Sequence, residues 1–203
     1  MFFDDESLNI KSIYDYLPKF KKKNKYFKII GISRLVPSKK FDVLIKAVSE
    51  LDEEIKKKVM LTLIGSGPEK NNLEKIAKLN NIKYKNYTNI SKSRLVNILK
   101  ESNLLVAPSV LEGDCGWAPC EAVFCDVPVI VADIEVTREF LKDGAVYFKK
   151  NNSRDLSEQI KKFINNEIDK ESIIKDAQKN LQFYRMKSFK ERLLNFLNEI
   201  KYS

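Results

Sequence analysis

The sequence predicts an α/β fold, a Rossmann-like doubly wound parallel sheet of about six strands with extra helices at its C-terminal end. Three observations predict it. Short apolar runs alternate with helix-period segments along most of the chain, which is the pattern of βα units stacked into a parallel sheet. The apolar runs are four to six residues long and continuous rather than alternating, as in strands covered on both faces. Turn residues (Gly65-Ser-Gly-Pro68 and the stretch from Pro108 to Gly116) fall where strands end and helices begin.

Tyr26-Phe-Lys-Ile-Ile-Gly-Ile32 opens the sheet, and Val43, Leu44, Ala47, Val48 and Leu51 recur at helical spacing from about Phe41 to Leu51. Val59-Met-Leu-Thr-Leu-Ile64 is a second strand. Pro68 then suits the first turn of a helix running to about Asn80, because the missing N–H of proline is unneeded there. Ile82-Lys-Tyr-Lys-Asn86 is a third, more polar strand, followed by a helix from Ser91 to Ser102. Asn103-Leu-Leu-Val-Ala107 and Val127-Pro-Val-Ile-Val-Ala132 are the fourth and fifth strands, with a helix beginning near Trp117 between them. A short helix near Val136–Leu141, a small strand Ala145-Val-Tyr-Phe148 and helical segments at 153–166, 170–184 and 187–201 complete the reading.

Composition narrows function. The 203 residues, 43% hydrophobic and 32% charged, suffice for a real core. The net charge of +9 comes mostly from lysines spread over nearly every helix, with a run at Lys19-Phe-Lys-Lys-Lys-Asn-Lys25. Nucleic-acid binders interleave arginine and aromatics on one face, so this distribution argues against nucleic acid. It suits nucleotides, sugar phosphates or peripheral contact with an anionic membrane. No apolar run reaches the roughly 20 residues that span a bilayer, and the acidic Met1-Phe-Phe-Asp-Asp-Glu start is unlike a signal peptide, so a cytoplasmic location is expected. The chain has no histidine, which removes Ser-His, Cys-His and His-metal chemistry. Cys115, Cys120 and Cys125 have no second cluster to complete a zinc site, and read as small buried apolar residues.

The stretch from Ser109 to Asp133 carries the most chemistry. It sets Glu112, a glycine turn at Gly116, a helix start at Trp117 and Glu121 in succession, between two buried strands. In a parallel sheet such a loop lies at the carboxyl end of its strand, where helix N-termini point N–H groups at an anion or an oxygen-rich ligand. Glu112 and Glu121 suit bidentate capture of vicinal hydroxyls, or acid and base roles if one pKa is raised. Glu121 is equally explained as a carboxylate favoured by the helix dipole. Trp117 either lines the pocket or packs. Arg34, just beyond the first strand, and Lys39, at the following helix start, form either a diphosphate clamp or a pair of solvated loop charges. The glycines of Gly65-Ser-Gly-Pro68 permit close backbone approach to a ligand, or make an ordinary turn.

Together these segments resemble one family. Arg-Leu-Val-Pro-x-Lys-x-Phe-Asp, Leu-Ile-Gly-x-Gly-Pro, Pro-Ser-x-x-Glu-Gly, Gly-x-x-Pro-x-Glu-Ala and Pro-Val-Ile-Val-Ala-Asp occur in the order found in the C-terminal domain of a family 4 (group 1) retaining glycosyltransferase of GT-B fold. The resemblance runs from about Ile29 to Ile164. It implies a nucleotide-sugar substrate, such as a UDP-, GDP- or ADP-hexose, with no cofactor and no metal, in polysaccharide biosynthesis. Arg34 and Lys39 would hold the donor diphosphate, Glu121 the ribose hydroxyls and Glu112 the donor sugar. Backbone amides of Gly116, Trp117 and Ala118 would meet sugar and phosphate. Catalytic roles would fall to Glu112, Arg34 and Lys39.

The sequence departs from the family at four points. One residue is inserted between the two glutamates, so that Asp114 competes with Glu112 for the sugar; Ser33, Lys40 and Asn86 stand where glycines are frequent. The resemblance divides the chain into a linker over residues 1–25, a nucleotide-sugar-binding domain over 26–184 and a C-terminal helix over 185–203 that packs on a missing N-terminal domain. The chain would then be an excised half or a subunit completed in trans, binding donor but inactive alone. Two other readings are a nucleotide-sugar-binding or assembly module without turnover, and a nucleotide-sugar epimerase of the same fold, whose site calls for histidine.

Overall fold

A computed structural model describes residues 25–111 and 117–183. The N-terminal extension to residue 24 and the expected helix 187–201 lie outside the described residues.

The elements follow in βα order. They are β1 (Phe27–Ile32), α1 (Phe41–Ser49), α2 (Glu53–Lys56), β2 (Val59–Ile64), α3 (Lys70–Leu79), β3 (Tyr84–Tyr87), α4 (Lys92–Lys100), β4 (Leu104–Ala107), α5 (Trp117–Phe124), β5 (Val129–Ala132), α6 (Glu135–Leu141), β6 (Val146–Phe148), α7 (Ser153–Ile164) and α8 (Lys170–Phe183). Every strand pairing is parallel and the order is β3-β2-β1-β4-β5-β6. In register, Gly31 of β1 lies opposite Leu63 of β2, and Leu105 of β4 opposite Val129 of β5.

Alternating strand residues feed two cores. Ile30, Leu105, Val129 and Val131 pack beneath α4, α5 and α8 through Val96, Leu99, Ala118, Ala122, Ala177 and Leu181. Ile29, Leu61, Leu63, Leu104, Val106 and Ile130 face the other way, against Leu44 and Val48 of α1, Leu73 and Ala77 of α3, and Leu156, Ile160 and Phe163 of α7. The central strands are therefore buried on both faces, which is why their sequences read as unbroken apolar runs. At the C-terminal end α8 docks tightly. A methyl group on Gly144 would lie 2.3 Å from the Ala177 Cα, so only glycine admits the helix at this distance. Asn180 Nδ2 donates to the Leu141 carbonyl and Gln178 Nε2 to that of Val123.

The expected six-strand parallel architecture is observed, with two local differences. The one-turn α2 was not anticipated; Lys56 and Lys57 pair with Glu53 and Glu54 along it. Lys39 does not open the first helix as expected. It ends a 3-10 turn over Pro37–Lys39, and the left-handed Lys40 (φ 54°) precedes Phe41. That conformation accounts for the glycine usual at this place, since a Cβ makes it unfavourable.

Candidate functional site

Order 3-2-1-4-5-6 reverses between β1 and β4, and the crevice of an open parallel sheet lies at the carboxyl ends of the strands where that reversal occurs. Described parts of both segments singled out in the sequence lie at this edge: Ser33 to Lys39 after β1, and residues 108–111 after β4.

The β1 side is rigid because it interlocks with the turn after β2. Ser33 N donates to Ile64 O (3.1 Å), Leu35 N to Ser66 O (2.8 Å), and Glu69 N to Leu35 O (3.0 Å). Gly65 and Gly67 have φ of 149° and 155°, and a methyl group there would lie 1.9 Å from Ser33 O and 2.2 Å from Leu35 O. Leu35 is fully buried, so it pins the segment between Arg34 and the 3-10 turn. Arg34 projects into solvent at the strand end, while Lys39 is only 7% exposed. Lys39 is thus a packed side chain and not a solvated loop charge. On the far side of β2, Asn86 Nδ2 donates to the carbonyls of Leu63 (3.1 Å) and Gly65 (3.3 Å), tying β3 to the same turn. Its Oδ1 is buried and has no hydrogen-bond partner among the described residues.

Across the crevice, α5 begins at Trp117 with Pro119 in its first turn, where a missing N–H is harmless. Ala118, Cys120, Ala122 and Val123 are buried, which fixes the helix on the sheet. Cys120 and Cys125 are buried. Trp117 is 46% exposed, so its indole is not a core element. Glu121, the fifth residue of α5, is half-buried, and burial pushes its carboxyl pKa up, with Lys92 pulling the other way. Glu121 lies past the first turn of α5, where the helix dipole acts most strongly. Glu112, Asp114 and Gly116 lie outside the described residues.

Further along the carboxyl edge is a cluster the sequence did not reveal. Arg138 donates through Nε (2.7 Å) and Nη2 (2.9 Å) to both oxygens of Asp133, just after β5. Its guanidinium stacks 3.7 Å from the ring centre of Tyr147 on β6. Tyr147 donates its hydroxyl to Lys142 O (2.6 Å), and its pKa is pushed up to about 12, chiefly by burial. The Asp-to-Arg spacing of five residues across a strand–helix junction was the available signal. Away from the crevice, an open groove of about 570 Å³ lies between α1 and the start of α7, lined by Lys46, Glu50, Lys150 and Arg154 among others. No helix among the described residues is long and apolar enough to cross a membrane.

The fold is a Rossmann-like parallel α/β sheet of the kind that forms one half of a GT-B architecture. The profile of the family described as glycosyl transferases group 1 matches residues 14–180, and the chain belongs to that family. It is 29% identical over 180 residues to the poly(ribitol-phosphate) alpha-N-acetylglucosaminyltransferase of Staphylococcus aureus, covering 84% of this chain and 35% of the relative. It is 31% identical over 139 residues to an uncharacterised glycosyltransferase of Methanocaldococcus jannaschii, covering 67% and 38%. The chain thus spans about a third of the length of these curated relatives. Among solved structures, the catalytic domain of the Helicobacter pylori cholesterol-alpha-glucosyltransferase superposes with a TM-score of 0.66 at 28% identity, over 77% of this chain and 99% of that one. TarM superposes with 0.70 at 25% identity, over 87% and 36%. A mutant of S. aureus TarM, solved in complex with UDP, shares the fold with a TM-score of 0.72 at 24% identity, over 88% and 36%.

Proposed function

We propose that the chain is the donor-binding half of a retaining family 4 glycosyltransferase, moving a hexose from a nucleotide-sugar to a glycan or lipid-linked acceptor in polysaccharide biosynthesis. The observation that supports this reading is the order of elements at the reversal point: the interlocked segment bearing Arg34 and Lys39 follows β1, and the start of α5, with its half-buried Glu121, follows β4. Arg34 and Lys39 take the diphosphate, and Glu121 takes the ribose hydroxyls. Glu112 meets the donor sugar, with Asp114 as its competitor, and the amides of Gly116, Trp117 and Ala118 meet sugar and phosphate. UDP, bound by the TarM mutant that shares this fold, is the first donor nucleotide to try.

In the reaction, the acceptor hydroxyl attacks the anomeric carbon while the bond to the diphosphate breaks. Negative charge gathers on the departing nucleotide, and preorganised cations and N–H groups stabilise it. Burial of Lys39 strengthens that interaction, since a charge held out of water is less screened. The acceptor is held by an N-terminal GT-B domain, in cis or in trans. The enzyme works in the cytoplasm, and its lysine-rich surface allows peripheral contact with an anionic membrane.

The test is turnover. With a UDP-hexose and an acceptor, the 203-residue chain alone should bind donor without transferring sugar, because proximity and orientation supply roughly 7–11 kcal/mol of barrier lowering. Adding the N-terminal domain should restore transfer with retained anomeric configuration. Donor binding without transfer in the completed enzyme would favour a binding or assembly module instead.

A further inference from the structure

We infer, given the assignment of Arg34 and Lys39 to the diphosphate, that Asn86 is a positioning residue for the donor: its side-chain amide locks the end of β2, and through it the segment that carries both cations. Asn86 lies on β3, two strands from Arg34. Its influence travels through β2.

The end of β2 is held from both sides. Leu61 N donates to Lys83 O (2.9 Å) and Gly65 N to Tyr87 O (2.9 Å), so these residues turn their polar groups to β3. Ile64 and Ser66 face the other way, and their carbonyls accept from Ser33 N (3.1 Å) and Leu35 N (2.8 Å). Whatever fixes Gly65 on the β3 side therefore sets its neighbours against the β1 segment. Ladder pairing of β2 with β3 stops at Ile64 and Tyr87. The next ladder donor for the Gly65 carbonyl would be the N–H of Asn89, whose backbone has turned left-handed at φ 53°. That carbonyl accepts from Asn86 Nδ2 instead (3.3 Å), while Leu63 O takes the amide's other hydrogen (3.1 Å). Gly65 is thus tied to β3 through its N–H and its C=O, and its opposite side has no slack: a methyl group there would lie 1.9 Å from Ser33 O.

The amide is held in this orientation at a cost. Turning it over would set Oδ1 against two carbonyls, so Nδ2 must face them. Oδ1 is then left buried without a hydrogen-bond partner among the described residues, which is unfavourable. The two donors account for keeping an amide at this place. What they hold steady is Leu35, fully buried between Arg34 and the 3-10 turn that ends at Lys39. Two cations that must meet one diphosphate depend on that spacing.

The test compares the wild-type chain with Asn86→Ala and Asn86→Asp at pH 8, the second keeping the shape while replacing the donor by an acceptor. Asn86 is partly buried and belongs to neither apolar core, so alanine leaves the packing intact. Amide hydrogen exchange is followed at Ser33 and Leu35, with Leu105, bonded to Pro128 O, as the internal reference. UDP and uridine affinities are measured by NMR titration. In both variants Ser33 and Leu35 should exchange roughly tenfold faster while Leu105 is unmoved. UDP should bind roughly three- to tenfold more weakly, and uridine, which lacks the diphosphate, as in wild type. Unchanged exchange at Ser33 and Leu35 overturns the proposal, and so does wild-type behaviour of Asn86→Asp, which would leave the donors no role. Equal losses for UDP and uridine overturn it by placing Asn86 at the nucleoside. Faster exchange with UDP affinity intact upholds the coupling of Asn86 to the β1 segment and overturns the diphosphate assignment.

Discussion

Replacing Gly67 with alanine tests whether the interlocked turns at the ends of β1 and β2 hold the site together. The new methyl group would lie 2.2 Å from Leu35 O and 2.7 Å from its carbonyl carbon, at a φ of 155° that side chains rarely adopt. Relief requires the turn after β2 to pull away from Leu35, and two backbone bonds cross that contact, Leu35 N to Ser66 O and Glu69 N to Leu35 O. Backbone strain contributes about 1–3 kcal/mol and each lost bond about 1 kcal/mol, giving roughly 3–5 kcal/mol against a typical total of roughly 5–15 kcal/mol. Leu35 separates Arg34 from the turn bearing Lys39, so the same shift should weaken UDP binding even where the protein remains folded. Urea unfolding and calorimetric titration with UDP measure both effects. A variant within about 1 kcal/mol of wild type, with UDP affinity intact, would refute the interlock and its link to the site.

Joint replacement of Arg34 and Lys39 by alanine should weaken UDP binding by several kcal/mol, at about 1.5–3 kcal/mol for each charged contact, and unchanged affinity by calorimetry would remove the clamp. Glu121→Gln should bind UDP more weakly yet resist unfolding better at neutral pH. Its carboxyl pKa is raised in the folded state, so the stability it contributes is present below the unfolded value near 4.5 and is lost as pH rises through the folded value. The advantage of the glutamine variant over wild type should therefore vanish in acid, which urea unfolding at the two extremes will show. Lys40→Gly should stabilise the chain by about 0.5–1 kcal/mol. It relieves about 1–2 kcal/mol of left-handed strain and gives back part of that through the looser unfolded chain, as thermal unfolding can measure.

Most of the fold was legible because each central strand is buried on both faces and each major helix carries an apolar stripe, two patterns with distinct periods. Residues such as Ile29 and Ile30, pointing to opposite cores, leave little ambiguity. The one-turn α2 was not legible, since four residues carry too little periodicity and its support is two exposed ion pairs. For the site, Arg34, Lys39 and Glu121 could be named from motif order, but their burial could not. Lys39 is packed because Pro37 starts a 3-10 turn and Lys40 turns left-handed, a backbone path that a lysine-rich string conceals. The stacking of Arg138 on Tyr147 depends on β6 pairing beside β5, and the Asn86 bonds on β3 pairing beside β2. Both are products of strand order, which local sequence does not encode.

The central claim is that a nucleotide occupies the carboxyl edge where the strand order reverses. Its most direct test is a ¹⁵N NMR titration of the chain with UDP, following every assigned backbone amide. Saturable shifts should concentrate at residues 32–39, at Gly65, Ser66 and Gly67, and from Trp117 to Glu121. Shifts confined instead to the groove around Lys46, Lys150 and Arg154, with the amides of residues 32–39 and 117–121 unmoved at saturation, would contradict the account.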